Sequence, residues 1–147
     1  MYKKMSRSIL VGWDILVVDD DTGSLRVAEF ILQRHGAHVL TAINGSQGLH
    51  VALQSPPKFV VSDISMPVLD GWGLLQALKL EQTTQHIPVI ALSAHALQRD
   101  RQKALEAGFH SYLTKPINPM TFVQDLLGLV IDLPEVRARL DNQGLQL

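Results

Sequence analysis

Four places in the sequence carry residues whose types and order could do chemistry. Three carboxylates stand together in "ILVVDDDTGS": Asp19, Asp20 and Asp21. A fourth, Asp63, lies in "VVSDISMPVLDGWG". Ser93 follows the apolar run of "IPVIALSA", and Lys115 with Pro116 follows "HSYLT". Like charges crowded in this way repel and raise one another's pKa unless a cation or a structural role compensates. Oxygen donors without Cys or His suit a hard cation, and magnesium is the natural one. A carboxylate beside such a cation can attack phosphorus and carry the group as an aspartyl phosphate. Cation and lysine would neutralise charge on the phosphoryl oxygens in flight, and a serine hydroxyl could donate to the product phosphate.

Each residue alone has a plainer reading. An aspartate after a strand is more often a helix cap or a turn residue. Asp21, before Thr22, Gly23 and Ser24, is a good cap for the following helix, and Asp70 before Gly71 is a turn signal. A single serine or a lysine before proline would be an ordinary loop residue. Their joint occurrence at strand ends is what raises them above that reading.

The elements that must position them alternate along the chain. "DILVVD" (Asp14–Asp19), "HVLTA" (His38–Ala42), "KFVVSD" (Lys58–Asp63), "IPVIALSA" (Ile87–Ala94) and "HSYLTK" (His110–Lys115) read as strands. Between and after them, helical spacing covers Ser24–His35, Ser46–Gln54, Gly71–Gln82, Leu97–Gly108 and Pro119–Ile131, the last with proline in its first turn. Five β–α units with near-continuous apolar strands predict an α/β domain with a parallel sheet covered on both faces. In such a sheet ligands collect outside the carboxyl ends of the strands, where Asp19, Asp20, Asp63, Ser93 and Lys115 all fall. Thr41 and Asn44 after the second strand look structural.

The chain has 147 residues, 46% hydrophobic and 18% charged, which suits one domain with a proper core. A net charge of −1 provides no basic field for non-specific nucleic-acid binding. Without cysteine there is no disulfide, thiolate zinc site or thiol catalysis, in keeping with a reducing cytoplasm. No stretch approaches the roughly 20 apolar residues of a membrane span. The basic start followed by apolar residues is superficially like a secretory signal, but Asp14 interrupts the run and no small-residue cleavage site follows. The expected organisation is an extension over 1–13, a domain over 14–131, and a polar tail over 132–147 with room for a short helix from Pro134.

The motifs "ILVVDDD", "VVSDISMPVLDGWGLL", "IPVIALSA" and "GFHSYLTKPI", in this order and spacing, resemble a response-regulator receiver domain of two-component signalling, of the chemotaxis and hybrid-kinase kind. The resemblance runs from Asp14 to Ile131. It implies a flavodoxin-like (βα)5 fold, strand order 2-1-3-4-5, with Asp63 as phosphoacceptor and Mg2+ held by Asp19, Asp20, Asp63 and the backbone carbonyl of Ser65. It implies phosphate contacts from Ser93, the backbone of Ala94 and Lys115, and a cis peptide bond before Pro116. Ser93 and Tyr112 match the family's switch positions, and Ser65 and His95 the positions that tune dephosphorylation. The third acid, Asp21, stands where glutamate is commoner. The remaining histidines show no paired ligand spacing and read as surface or packing residues.

The implied function is a phospho-accepting switch with weak self-dephosphorylation and no separate substrate turnover. Its phosphoryl donor would be a sensor histidine kinase or a histidine phosphotransfer protein, and its output an unidentified downstream protein. A dimer through the fourth helix, fifth strand and fifth helix is a further expectation. The sixteen residues from Asp132 are too few for a winged-helix or helix-turn-helix module, so no DNA-binding domain is expected. Two other readings stand beside it: an aspartyl-phosphate phosphatase of haloacid-dehalogenase type, and a degenerate receiver that only binds proteins. The first wants Thr or Val where Gly23 stands, and the second wants loss of an acid, the acceptor or the lysine. A calcium loop starting at Asp19 fails at Ser24 and Phe30.

Overall fold

The computed structural model describes residues 5–95 and 97–145. Along the chain run β1 (Asp14–Val18), α1 (Thr22–Arg34), β2 (His38–Ala42), α2 (Gly45–Gln54), β3 (Phe59–Asp63), α3 (Gly71–Leu80), β4 (Val89–Ser93), α4 (Gln98–Ala107), β5 (Ser111–Thr114), α5 (Phe122–Leu129) and α6 (Pro134–Asn142). All strand pairings are parallel and the order is β2-β1-β3-β4-β5, the flavodoxin-like arrangement. Parallel neighbours need a crossover, and α1 to α4 supply the four, while α5 and α6 follow the last strand. β3 and β4 are buried throughout, which is why "FVVSD" and "VIALS" read as continuous apolar runs without alternation.

Alternating side chains split the core into two layers. On one face Ile15, Val17, Phe59, Val61, Ile90 and Leu92 pack with α1 and α5. On the other, Leu16, Val18, Val60, Val89, Ala91 and Tyr112 pack with α2, α3 and α4. The first layer extends beyond the five β–α units, because Ile9, Leu10 and Trp13 join it from before β1, and Val136, Leu140 and Leu145 from α6 and its end. No described helix is long and apolar enough to cross a membrane.

The fifth helix starts later than the sequence pattern predicts, at Phe122 and not Pro119. Asn118 is the reason. Its Oδ1 accepts the Met120 N–H at 3.0 Å and its carbonyl accepts the Thr121 N–H at 3.2 Å, closing a separate turn over Pro119. Proline fits a turn as readily as a first helical turn, since both tolerate its missing N–H. The helix expected from Pro134 is present as α6, with Pro134 in its first turn.

Candidate functional site

The acidic run divides as it leaves β1. Asp19 continues the ladder through its N–H to the Ala42 carbonyl at 3.0 Å, so its side chain is buried among the strand ends. Its Oδ1 accepts the Asp21 N–H at 2.9 Å, and its Oδ2 lies 2.9 Å from Lys115 Nζ. That Oδ2 has no aligned hydrogen-bond donor among the described residues. Asp20 is exposed at the rim. Asp21 faces away and caps α1, accepting the Gly23 N–H and the Ser24 hydroxyl, each at 3.0 Å. Those bonds, the Ser24 hydroxyl foremost, hold its carboxyl below the usual range.

Asp63 is the last residue of β3. Its Oδ1 accepts the Ile64 N–H at 2.8 Å, which turns Oδ2 toward Lys115 Nζ, 3.5 Å away. Burial pushes its carboxyl up to about 6, helped by the charge of Asp19 and opposed by Lys115 and the Ile64 N–H. Burial works to lower the Lys115 ammonium, but Asp19 and then Asp63 outweigh it and leave it raised. The lysine is fixed from β5: its N–H bonds the Ser93 carbonyl at 2.8 Å, and its bond to Pro116 is cis.

The start of α3 packs directly on β3. A Cβ on Gly71 would lie 2.4 Å from the Asp63 carbonyl oxygen and 2.8 Å from Ile64 Cα, so only glycine allows this approach. Asp70 caps α3 through the Gly73 N–H at 2.8 Å, the turn role expected of it. Asn44 caps α2 in the same way, accepting from the Gln47 N–H at 2.8 Å. An open cleft of about 440 Å³ lies between Asp20 and the β3–α3 connection, lined also by Ser65, Met66, Asp70 and Trp72. Trp72 meets Phe109 edge-to-face at 5.3 Å, and Lys103 stands over its ring at 5.5 Å.

Ser93 ends β4 and is buried, its Oγ accepting the His95 N–H at 3.1 Å. Tyr112 is also buried, 4% exposed, and its hydroxyl donates to the His95 carbonyl. The backbone of His95 therefore ties the hydroxyl of Ser93 to that of Tyr112. The His95 side chain, like Ser65 and Ala94, lies at the exposed rim. The sequence does not single out Trp72 or Met66 for chemistry, since a tryptophan in the first turn of α3 and a methionine in the connection before it both look like packing. The scattered histidines have no paired ligand spacing in the sequence, and the structure places two of them beside carboxylates, His38 with Asp14 at 2.9 Å and His110 with Asp132 at 2.9 Å. Those partners come from different elements, so no sequence spacing could reveal them.

Oxygens of Asp19, Asp20 and Asp63 all lie within 4.8 Å of one another. An all-oxygen set of this charge, with one buried oxygen lacking an aligned donor, fits a hard divalent cation that keeps several of its waters.

The profile of the response regulator receiver domain matches residues 15–127. The chain belongs to this family. It is 40% identical over 115 residues to an uncharacterised 14.6 kDa protein of Leptolyngbya boryana, covering 78% of this chain and 88% of that one. It is 35% identical over 128 residues to the response regulator PleD of Caulobacter vibrioides, spanning 85% of this chain but only 28% of PleD. Among solved structures, the receiver domain of the sensor histidine kinase PA1611 of Pseudomonas aeruginosa superposes with a TM-score of 0.73 at 31% identity. That likeness covers 82% of this chain and 98% of that one, and a magnesium ion is coordinated in that domain's active-site cleft. This receiver domain is a signalling element of the two-component kind, and its family pairs with histidine kinases.

Proposed function

We propose that this receiver accepts a phosphoryl group on Asp63 from the phosphohistidine of a sensor kinase or phosphotransfer protein, with Mg2+ as cofactor. The observation that carries this is the convergence of Asp19, Asp20 and Asp63 with Lys115 bridging the two buried acids. In the step itself, Asp63 Oδ attacks phosphorus and the phosphorus–nitrogen bond breaks. The electron pair stays with the imidazole nitrogen, which then takes a proton. Asp19, Asp20, Asp63 and the Ser65 carbonyl would hold the cation, which neutralises charge on the phosphoryl oxygens. Lys115 Nζ offers a second positive charge from the far side. The Ser93 hydroxyl and the Ala94 N–H would donate to the bound phosphate, and Ser65 and His95 at the rim would set how water reaches it.

Ser93 and Tyr112 are the switch. Drawing Ser93 toward a phosphoryl group and holding Tyr112 on the His95 carbonyl would favour one arrangement of the α4–β5–α5 surface, a population shift read by a downstream protein. The chain thus acts by changing contacts and not by turning over a separate substrate.

Incubation with acetyl phosphate and Mg2+ followed by intact mass tests this reading. The wild type should gain one phosphoryl group, and both Asp63→Asn and removal of Mg2+ by EDTA should abolish the gain. A gain that survives Asp63→Asn would remove Asp63 as acceptor. No gain from any donor in the presence of Mg2+ would leave a protein-binding receiver without phosphotransfer.

A further inference from the structure

Two segments outside the matched residues 15–127 are built into the same core. The turn-rich stretch before β1 buries Ile9 and Leu10 completely, and α6 does the same with Val136. They hold one another. Arg139 Nη1 donates to the carbonyls of Ile9 and Val11, both at 2.9 Å, and its guanidinium stacks on Trp13 at 4.4 Å. Glu135 pairs with Lys58, the residue that precedes β3. All of this lies at the N-terminal ends of the strands, the pole opposite to Asp63.

A polar chain connects this pole to β5. The Ser111 hydroxyl donates to the Leu129 carbonyl at 3.2 Å, and His110 Nδ1 lies 2.6 Å from the Ser111 oxygen. His110 Nε2 reaches both oxygens of Asp132, at 3.0 and 2.9 Å, in the joint between α5 and α6. Leu129 ends α5, so its carbonyl has no intrahelical partner and depends on Ser111. Neighbours on a strand point to opposite faces. Tyr112 therefore reports to the α4 side while Ser111, beside it, holds the α5–α6 side. β5 is also an edge strand, which leaves it able to pass on a displacement. It is short and is paired only with β4, whereas β1 and β3 are gripped on both edges.

We propose that residues 5–13 and α6 form a strap whose seating is linked to the position of Tyr112 through Ser111 and His110, so that the phosphorylation state is read at the far pole. The proposal rests on the function put forward above. In this structure Tyr112 is inward and every link is made at hydrogen-bond distance. The seated strap and the inward tyrosine thus belong to one arrangement, and phosphorylation that favours inward Tyr112 tightens the strap.

Amide hydrogen exchange of the full chain in Mg2+, with and without beryllofluoride as the phosphoryl mimic, tests the link. Exchange over 134–142 should slow by at least about fivefold, the lower end of ordinary coupling between sites. Slower exchange should also appear at Ser93 to His95. In Ser111→Ala and Asp132→Asn the loop after β4 should still respond while α6 no longer does. The second variant alters a carboxylate that is 65% exposed, so it keeps the test open if the first folds poorly. Unchanged α6 exchange in wild type beside a responding loop would overturn the strap. So would a full α6 response in both variants. No response at either place would instead sink the phosphoacceptor reading, and the strap would fall with it.

Discussion

At the scale of single residues, the burial of Asp63 costs stability. Its carboxyl is raised from 3.8 to about 6, so between those pH values the folded chain binds more protons than the unfolded one. Stability from this group therefore falls as pH rises through that window; the penalty is complete above about 6 and absent below about 3.8. The full shift converts to about 3 kcal/mol at 1.36 kcal/mol per unit, an upper bound that partial solvation of the site brings down to about 1–2 kcal/mol. Asp63→Asn should be more stable than wild type by that amount at pH 7 in EDTA and nearly equal at pH 4, measured by urea unfolding. Equal stabilities at both pH values would show that Asp63 is not strained by its burial. The placement of these carboxylates was largely legible in the sequence. The division of Asp19 and Asp20 from Asp21 followed from the capping signature of Thr22, Gly23 and Ser24, which the structure realises as two hydrogen bonds. What the sequence could not convey was Tyr112 and Ser93 meeting on one backbone residue, His95, because that needs β5 laid beside β4.

At the scale of elements, the site depends on how closely α3 approaches the end of β3. Gly71→Ala would put a methyl 2.4 Å from the Asp63 carbonyl oxygen. Backbone cannot yield there as a flexible side chain would, so the helix start must move, at a cost of about 1–3 kcal/mol. The expected result is a lower urea midpoint together with slower labelling by acetyl phosphate, because the displaced element carries Asp63 and the cleft with it. A loss of stability with labelling unchanged would uncouple α3 from Asp63. Helix and strand identities were readable from apolar spacing and from Gly and Pro punctuation. The start of α5 was not, since Pro119 satisfies both a helix start and a turn, and the choice was made by the Asn118 side chain.

For the molecule as a whole, the two layers of core are unequal in what they hold. The layer against α1 and α5 also carries the residues before β1 and those of α6, so the domain is larger than its five β–α units. Leu140, 1% exposed, should cost about 2–4 kcal/mol on change to Ala, a loss seen as one cooperative shift of the urea transition. A separate early transition would mean that α6 folds as its own unit. This packing was hidden in the sequence, where residues 1–13 and 132–147 read as an extension and a tail. Their apolar residues are too few and too widely spaced to announce a shared core, and Arg139 meets Ile9 across 130 positions. The chain's two tryptophans happen to mark its two ends: Trp72 lines the acidic cleft, and Trp13 lies under Arg139 at the opposite pole. With Trp72→Phe or Trp13→Phe, the fluorescence of one molecule can be read from either end by itself. Events at the acids and events at the strap then become two separate optical signals, with no label attached.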